Sequence, residues 1–248
     1  MSARIALVTG ASRGIGRAVA IELARLGWRV VATARAQKAL EKLDDEIKAL
    51  GGEATLVPLD LRDLDGIDRL GGALFERFGK LDGLAACAGV LGSLTPAHQA
   101  SPALMDEVMT VNFTANWRLI RALHPLLRAS EAGRAVFLSS SAARNPKAYW
   151  GPYGASKAAL ETLVASYAAE CAVTPIRANL FNPGPTRTAM RAKAYPGEDP
   201  LTLPTPEEVA PAIVEMLAAE YGENGQAVGF NKLRPSGRAE RDPESRGS

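Results

Sequence analysis

Seven short runs rich in aliphatic and β-branched residues recur along this chain, and a longer amphipathic stretch stands between most of them. RIALV (4–8), VVATA (30–34), ATLVP (54–58), LDGLAA (81–86), AVFLS (135–139), PIRANLF (175–181) and QAVGF (226–230) read as strands. Helical spacing of apolar residues covers 14–26, 37–50, 64–78, 101–127, 153–171 and 206–219. Alternation sustained this far predicts an α/β architecture: a parallel sheet wound on both faces, with helices covering both sides. Gly51 and Gly52 stop the second helix, and Pro125 is expected to bend or end the long one. No linker divides two cores, so a single domain is expected over 1–233.

Two segments stand outside the pattern. Residues 185–206 hold five of the 16 prolines without clear periodicity, which predicts a mobile loop. Residues 234–248 (RPSGRAERDPESRGS) carry no valine, leucine, isoleucine or aromatic side chain and predict a disordered tail.

Bulk properties exclude some partners. The net charge of +2 is too small to argue for nucleic acid or an anionic membrane. No apolar run approaches the roughly 20 residues needed to cross a bilayer. MSARIALVTG runs straight into the first strand, so no signal peptide is expected. Cys87 and Cys171 fit no metal or redox spacing and read as free thiols in a reducing cytoplasm.

Chemistry begins at TGASRGIG (9–16), between the first strand and first helix. Gly10, Gly14 and Gly16 are spaced to allow a tight turn and the close approach of a dinucleotide's phosphates to helix N–H groups. A purely structural turn is the alternative. At the end of the second strand an acidic residue would bind the ribose hydroxyls of NAD. VVATAR offers Ala34 and Arg35 instead, with Arg13 in the glycine turn. Two guanidiniums near one phosphate favour NADP(H), with NAD(H) left open, unless either is a solvated surface charge. Asp60, after the third strand, is a candidate acceptor for the adenine amino group, or a loop cap.

YGASK (153–157) sets Tyr153 and Lys157 four apart on one helix face, thirteen positions after Ser140. A free phenol titrates near pH ~10, about 4 kcal/mol from useful acid–base work at neutrality. An exposed ion pair supplies only ~0.2–1 kcal/mol. The lysine therefore needs a desolvated cleft, helped by an oxidised nicotinamide. Ser140 would hold the substrate oxygen, with Ser141 the second choice in SSS. A surface pair is the alternative reading of YxxxK alone.

Together these segments resemble the short-chain dehydrogenase/reductase superfamily in its single-domain form, over about residues 4–231. TGASRGIG resembles its cofactor turn, SSSAA its catalytic serine strand, YGASK its YxxxK, and NPGPTRT (182–188) its nicotinamide segment. The wording around these motifs is most similar to a bacterial subgroup of unassigned oxidoreductases. The resemblance implies a Rossmann-type doubly wound sandwich with a seven-stranded parallel sheet. It implies a catalytic tetrad of Asn112, Ser140, Tyr153 and Lys157. Asn112 would kink its helix and anchor a water in a proton relay, and Lys157 would lower the tyrosine pKa and hold the nicotinamide ribose. Pro183 and Gly184 would flank the nicotinamide, and Thr188 would hold its carboxamide or the pyrophosphate. Ser12, Ile15, Leu61, Gly89 and Thr186 complete the implied cofactor set. The family's NNAG is ACAG (86–89) here, so the bracing of that turn is open. The resemblance also implies a homodimer or homotetramer and a small carbonyl or alcohol substrate. Alternatives are a silent NADP-binding redox sensor and a sugar-nucleotide epimerase or dehydratase, the latter needing a longer chain.

Overall fold

A computed structural model describes residues 3–230; the expected tail at 234–248 lies outside them. Seven strands form one sheet: β1 Ile5–Thr9, β2 Arg29–Ala34, β3 Ala54–Pro58, β4 Gly83–Ala86, β5 Arg134–Leu138, β6 Arg177–Asn182 and β7 Ala227–Gly229. Their order is β3-β2-β1-β4-β5-β6-β7, every pair parallel. The order reverses between β1 and β4, which opens a crevice beyond their carboxyl ends. The helices are α1 Gly14–Arg25, α2 Gln37–Ala49, α3 Leu64–Phe78, α4 Pro102–Met109, α5 Ala115–Arg128, α6 Gly151–Glu170, α7 Ala189–Ala194 and α8 Pro206–Glu215.

Strand alternation splits the apolar side chains between two cores. Ala6 and Val8 face Leu23 of α1, Leu40 of α2 and Ile213 of α8. Ile5 and Leu7 face the other way, toward Leu70 of α3, Leu123 of α5 and Val164 of α6. Each buried leucine or valine contributes about 1.5–3 kcal/mol, so both layers are held by their apolar faces. The amino ends of the central strands are closed by polar contacts: buried Asp82 accepts from Ile5 N at 3.0 Å and from the Ser130 hydroxyl at 2.6 Å. Chemistry is left to the opposite, carboxyl edge.

Two segments differ from the sequence reading. The expected helix over 101–127 is interrupted at Thr110–Thr114 by one π turn, while Pro125 sits inside α5 without ending it. Residues 185–206 are not a bare loop. Thr188 caps α7, accepting from Arg191 N at 3.2 Å. Arg187 donates to the carbonyls of Pro200 (2.6 Å) and Leu203 (3.2 Å), and Arg191 donates from Nε and Nη2 to the two carboxylate oxygens of Glu198, each at 2.6 Å. These bonds join residues seven to sixteen apart and leave no periodic trace in the sequence.

Candidate active site

Tyr153 enters from the first turn of α6 and Ser140 from just beyond β5, where its backbone is still extended. The Ser140 hydroxyl accepts from Ala142 N at 3.2 Å and lies near enough to the Tyr153 phenol to pull its pKa down. One turn along α6, Lys157 Nζ donates to the Leu138 carbonyl at 2.7 Å and lies 6.0 Å from the centre of the Tyr153 ring. Tyr153 is 7% exposed and Lys157 4%, so neither is surface decoration.

Asn112 reaches the same place from the π turn. Its Oδ1 accepts from Val90 N at 2.8 Å, while Nδ2 donates to Val90 O at 2.9 Å and to Ser156 Oγ at 3.0 Å. Ser156 passes the contact on, donating to the Tyr153 carbonyl at 2.7 Å. The π turn shifts the helical ladder, and Asn116 Nδ2 takes up the Asn112 carbonyl at 2.8 Å. Gly89 faces this cluster: a Cβ there would lie 3.3 Å from Asn112 Oδ1 and 3.7 Å from Lys157 Nζ. Asn112, Ser140, Tyr153 and Lys157 are thus brought together. Asn116 and Ser156 were not singled out from the sequence; the spacing of Asn112 and Asn116 by four was the available signal.

Burial dominates the electrostatics of the site. Burial pushes the Tyr153 phenol above its ordinary value, and the opposing pull comes from the Ser140 hydroxyl rather than from Lys157. Desolvation of a phenolate outweighs a charge aimed at the Leu138 carbonyl. Lys157 itself is pushed down to about 8 by burial, against the opposite pulls of Cys87 and Glu161. The Cys87 thiol is pushed up to about 12 by the same desolvation. The ACAG turn is braced without asparagine side chains of its own: Thr9 Oγ1 accepts from Ala88 N at 3.1 Å, and Asn112 holds Val90.

Around the glycine turn the backbone is cut to fit. Gly10 has φ 67°, and a Cβ there would meet Ala88 Cα at 2.9 Å, so only glycine lets the ends of β1 and β4 close up. At Gly16 a Cβ would lie 2.5 Å from the Gly10 carbonyl oxygen. Ser12, Gly14 and Ile15 are half-buried in the turn, and Arg13, the residue before α1, gives the helix no side-chain cap. A dinucleotide's phosphates fit such uncapped N–H groups. The Ala11 N–H donates to Thr33 O at 3.1 Å, which sets the loop of Arg13 beside the loop of Arg35; both arginines are exposed. The Thr33 hydroxyl is buried there without a hydrogen-bond partner, a polar atom suited to a ligand. Asp60 accepts the Arg62 guanidinium at 2.6 Å and Arg62 N at 3.0 Å, bonds that hold its carboxyl below the usual range with help from Arg35. These are the bonds a loop cap makes. Leu61 beside it is buried in the second core.

The segment after β6 closes the crevice. Gly184 has φ 65°; the Thr186 hydroxyl, in a residue 4% exposed, donates to Pro183 O at 3.2 Å. A Cβ on Gly14 would lie 3.6 Å from the Thr188 methyl, so the phosphate turn and this segment abut. The residues present therefore fit a dinucleotide laid across the switch point.

A buried phenol poised beside a nucleotide crevice defines a class, the oxidoreductases that move a proton as their cofactor moves a hydride. The description "short chain dehydrogenase" belongs to the family model that matches residues 4–199, and the chain is a member of that family. It is 40% identical over 217 residues to an uncharacterised oxidoreductase, YciK, of Escherichia coli strain K12, covering 86% of each chain. A Pseudomonas syringae structure described as a short chain dehydrogenase superposes with TM-score 0.88 at 41% identity, over 92% of this chain and 94% of that one. A Shigella flexneri short chain dehydrogenase complexed with NADP gives TM-score 0.88 at 37% identity, over 92% and 97%. Among the described residues no helix is long and apolar enough to cross a membrane.

Proposed function

We propose that the protein is an NADP(H)-preferring oxidoreductase that interconverts a carbonyl compound and its secondary alcohol. The observation that carries the reading is the buried Tyr153 phenol, with the Ser140 hydroxyl and the Lys157 ammonium beside it. Bound across that crevice, NADPH supplies a hydride at C4 of its nicotinamide. In the reduction Tyr153 gives its hydroxyl proton to the substrate oxygen, and Ser140 donates a hydrogen bond to that oxygen. Lys157 offsets the charge left on the phenolate and is the donor for the nicotinamide ribose. Asn112 holds Val90 and Ser156, and through them the backbone on either side of the reacting groups. Gly10, Ser12, Gly14, Ile15 and Gly16 take the phosphates, and Arg13 and Arg35 the 2′-phosphate. Leu61 and Asp60 border the adenine, and Pro183, Gly184, Thr186 and Thr188 the nicotinamide. The Shigella relative's NADP complex supports the choice of cofactor.

The flank of Tyr153 is apolar. Leu91, Ala142, Trp150, Met190 and Ala194 pack around it, and Trp150 meets its ring edge-on at 5.7 Å. Tyr149, whose backbone is left-handed at φ 73°, is locked by Thr95 N donating to its carbonyl at 3.0 Å. Such strain in a non-glycine residue is held only where a contact fixes it, as the bond from Thr95 does here. The favoured substrate is therefore a small ketone or alcohol with an apolar body.

The test is NADPH oxidation across a panel of carbonyl compounds, with Tyr153→Phe beside wild type. Turnover should fall at least ~10²-fold in the variant, with melting temperature and NADPH affinity kept. Turnover that survives the substitution refutes the mechanism, and NADPH binding without turnover on any carbonyl points to a silent cofactor-binding protein.

A further inference from the structure

The end of β5 meets α6 at three successive residues. The Leu138 carbonyl accepts from Lys157 at 2.7 Å, the Ser139 hydroxyl donates to Glu161 Oε1 at 2.6 Å, and the Ser140 hydroxyl faces the Tyr153 phenol. Spacing by four sets Tyr153, Lys157 and Glu161 in one row along the helix. Two of the three belong to the chemistry above; the third has no role in it.

Glu161 is held as firmly as they are. Its other oxygen, Oε2, accepts from Arg144 Nε at 2.7 Å, out of the turn that follows Ser140. Its side chain is 15% exposed, and Ser139 is 4% exposed. A carboxylate that served only solubility would lie out in water. This one has both oxygens fixed by partners on two other segments, one helical turn from a buried ammonium.

We propose that Glu161 is a positioning residue for Lys157: an anion clamped by Ser139 and Arg144 that keeps the neighbouring ammonium charged and in place. The proposal rests on the reading of Tyr153 and Lys157 given above. The groups around Lys157 single Glu161 out. From α6 itself come the Tyr153 ring and Glu161; from beyond β4, Cys87 and the Gly89 backbone; from the π turn, the Asn112 amide; from β5, the Leu138 carbonyl. Burial pushes Cys87 up to about 12 and Tyr153 above its ordinary value, so both are uncharged at neutral pH. Of the two groups that pull Lys157 back up, Glu161 is the carboxylate, and it is paired with Arg144. Arg144 faces Glu161 as its ion-pair partner, with Nε 2.7 Å from Oε2.

The sign follows directly. Burial alone drives Lys157 to lose its proton early, and an adjacent anion delays that loss. Removing the anion should therefore bring the loss of the ammonium to lower pH.

The experiment measures kcat/KM for carbonyl reduction, and NADPH affinity by fluorescence, between pH 6 and pH 10. It compares wild type, Glu161→Gln, Glu161→Asp and Ser139→Ala, each checked by thermal denaturation. In wild type both quantities should decline on the alkaline side, around the value of about 8 at which Lys157 deprotonates. Glu161→Gln should move that decline down by at least about half a pH unit. Glu161→Asp keeps the anion and should restore it, although the shorter arm loosens the contact with Ser139. Ser139→Ala, which frees the carboxylate without removing it, should shift the decline part of the way and serves if the glutamine variant does not fold. A uniform loss of rate with the decline unmoved, or an aspartate variant that behaves like the glutamine one, overturns the proposal and leaves Glu161 a brace. An alkaline decline that persists unchanged in Lys157→Met overturns the reading of Lys157 itself, and this proposal with it.

Discussion

Replacing Asn112 by alanine removes three hydrogen bonds from a residue that is fully buried. Ser156 keeps its bond to the Tyr153 carbonyl, so its hydroxyl is not stranded. Val90 is: its N–H and its C=O both lose their partner. Each orphaned backbone group costs about 1–3 kcal/mol, and water entering the amide-sized hole recovers part of the loss. The expected destabilisation is about 3 kcal/mol, a fall in Tm of roughly 10 °C for a chain of this length. Asn112→Asp sharpens the case. It preserves the shape and still accepts from Val90 N, yet sets an oxygen against Val90 O where an N–H stood. It should be at least as unstable at neutral pH and regain stability in acid as the carboxyl takes up a proton. Urea unfolding at several pH values reads both, and an unchanged m-value shows that stability has changed without a change in the surface exposed on unfolding. NADPH affinity should fall as well, because Gly89 and Val90 form the turn that faces Lys157. A loss below about 1 kcal/mol with wild-type NADPH affinity would show that the amide does not hold this turn.

Cofactor choice should turn on the arginines: Ala34→Asp with Arg35→Ala should move the preference from NADPH toward NADH by about 10- to 100-fold, since a charge-assisted phosphate contact is worth roughly 1.5–3 kcal/mol. Equal use of both cofactors by wild type, measured as kcat/KM, would defeat that argument. The chain should form a dimer or tetramer. The outer face of α6 exposes Ala155, Thr162, Ala165, Ser166 and Ala169, and Trp117 of α5 is 44% exposed. A monomer mass by light scattering at micromolar concentration would refute it.

Periodicity and spacing carried the architecture. Period-two runs and 3.6-residue stretches are local properties, and they located all seven strands and their parallel pairing. The glycine turn and the four-residue step from Tyr153 to Lys157 are local too, so both could be read and assigned to the carboxyl edge of the sheet. Much of what surrounds them is not local. Asn112 finds Val90 across 22 positions and Ser156 across 44, and Ser139 finds Glu161 across 22. No pattern within one segment encodes such pairs, because they depend on which strand end comes to lie against which helix. The same is true of the order in 185–206, made by Arg187 and Arg191 reaching over intervening turns. The sign of the Tyr153 shift could not be had from YGASK either. It is set by how much water the fold removes from the phenol, and desolvation is a sum over every neighbour in space, whatever its distance along the chain.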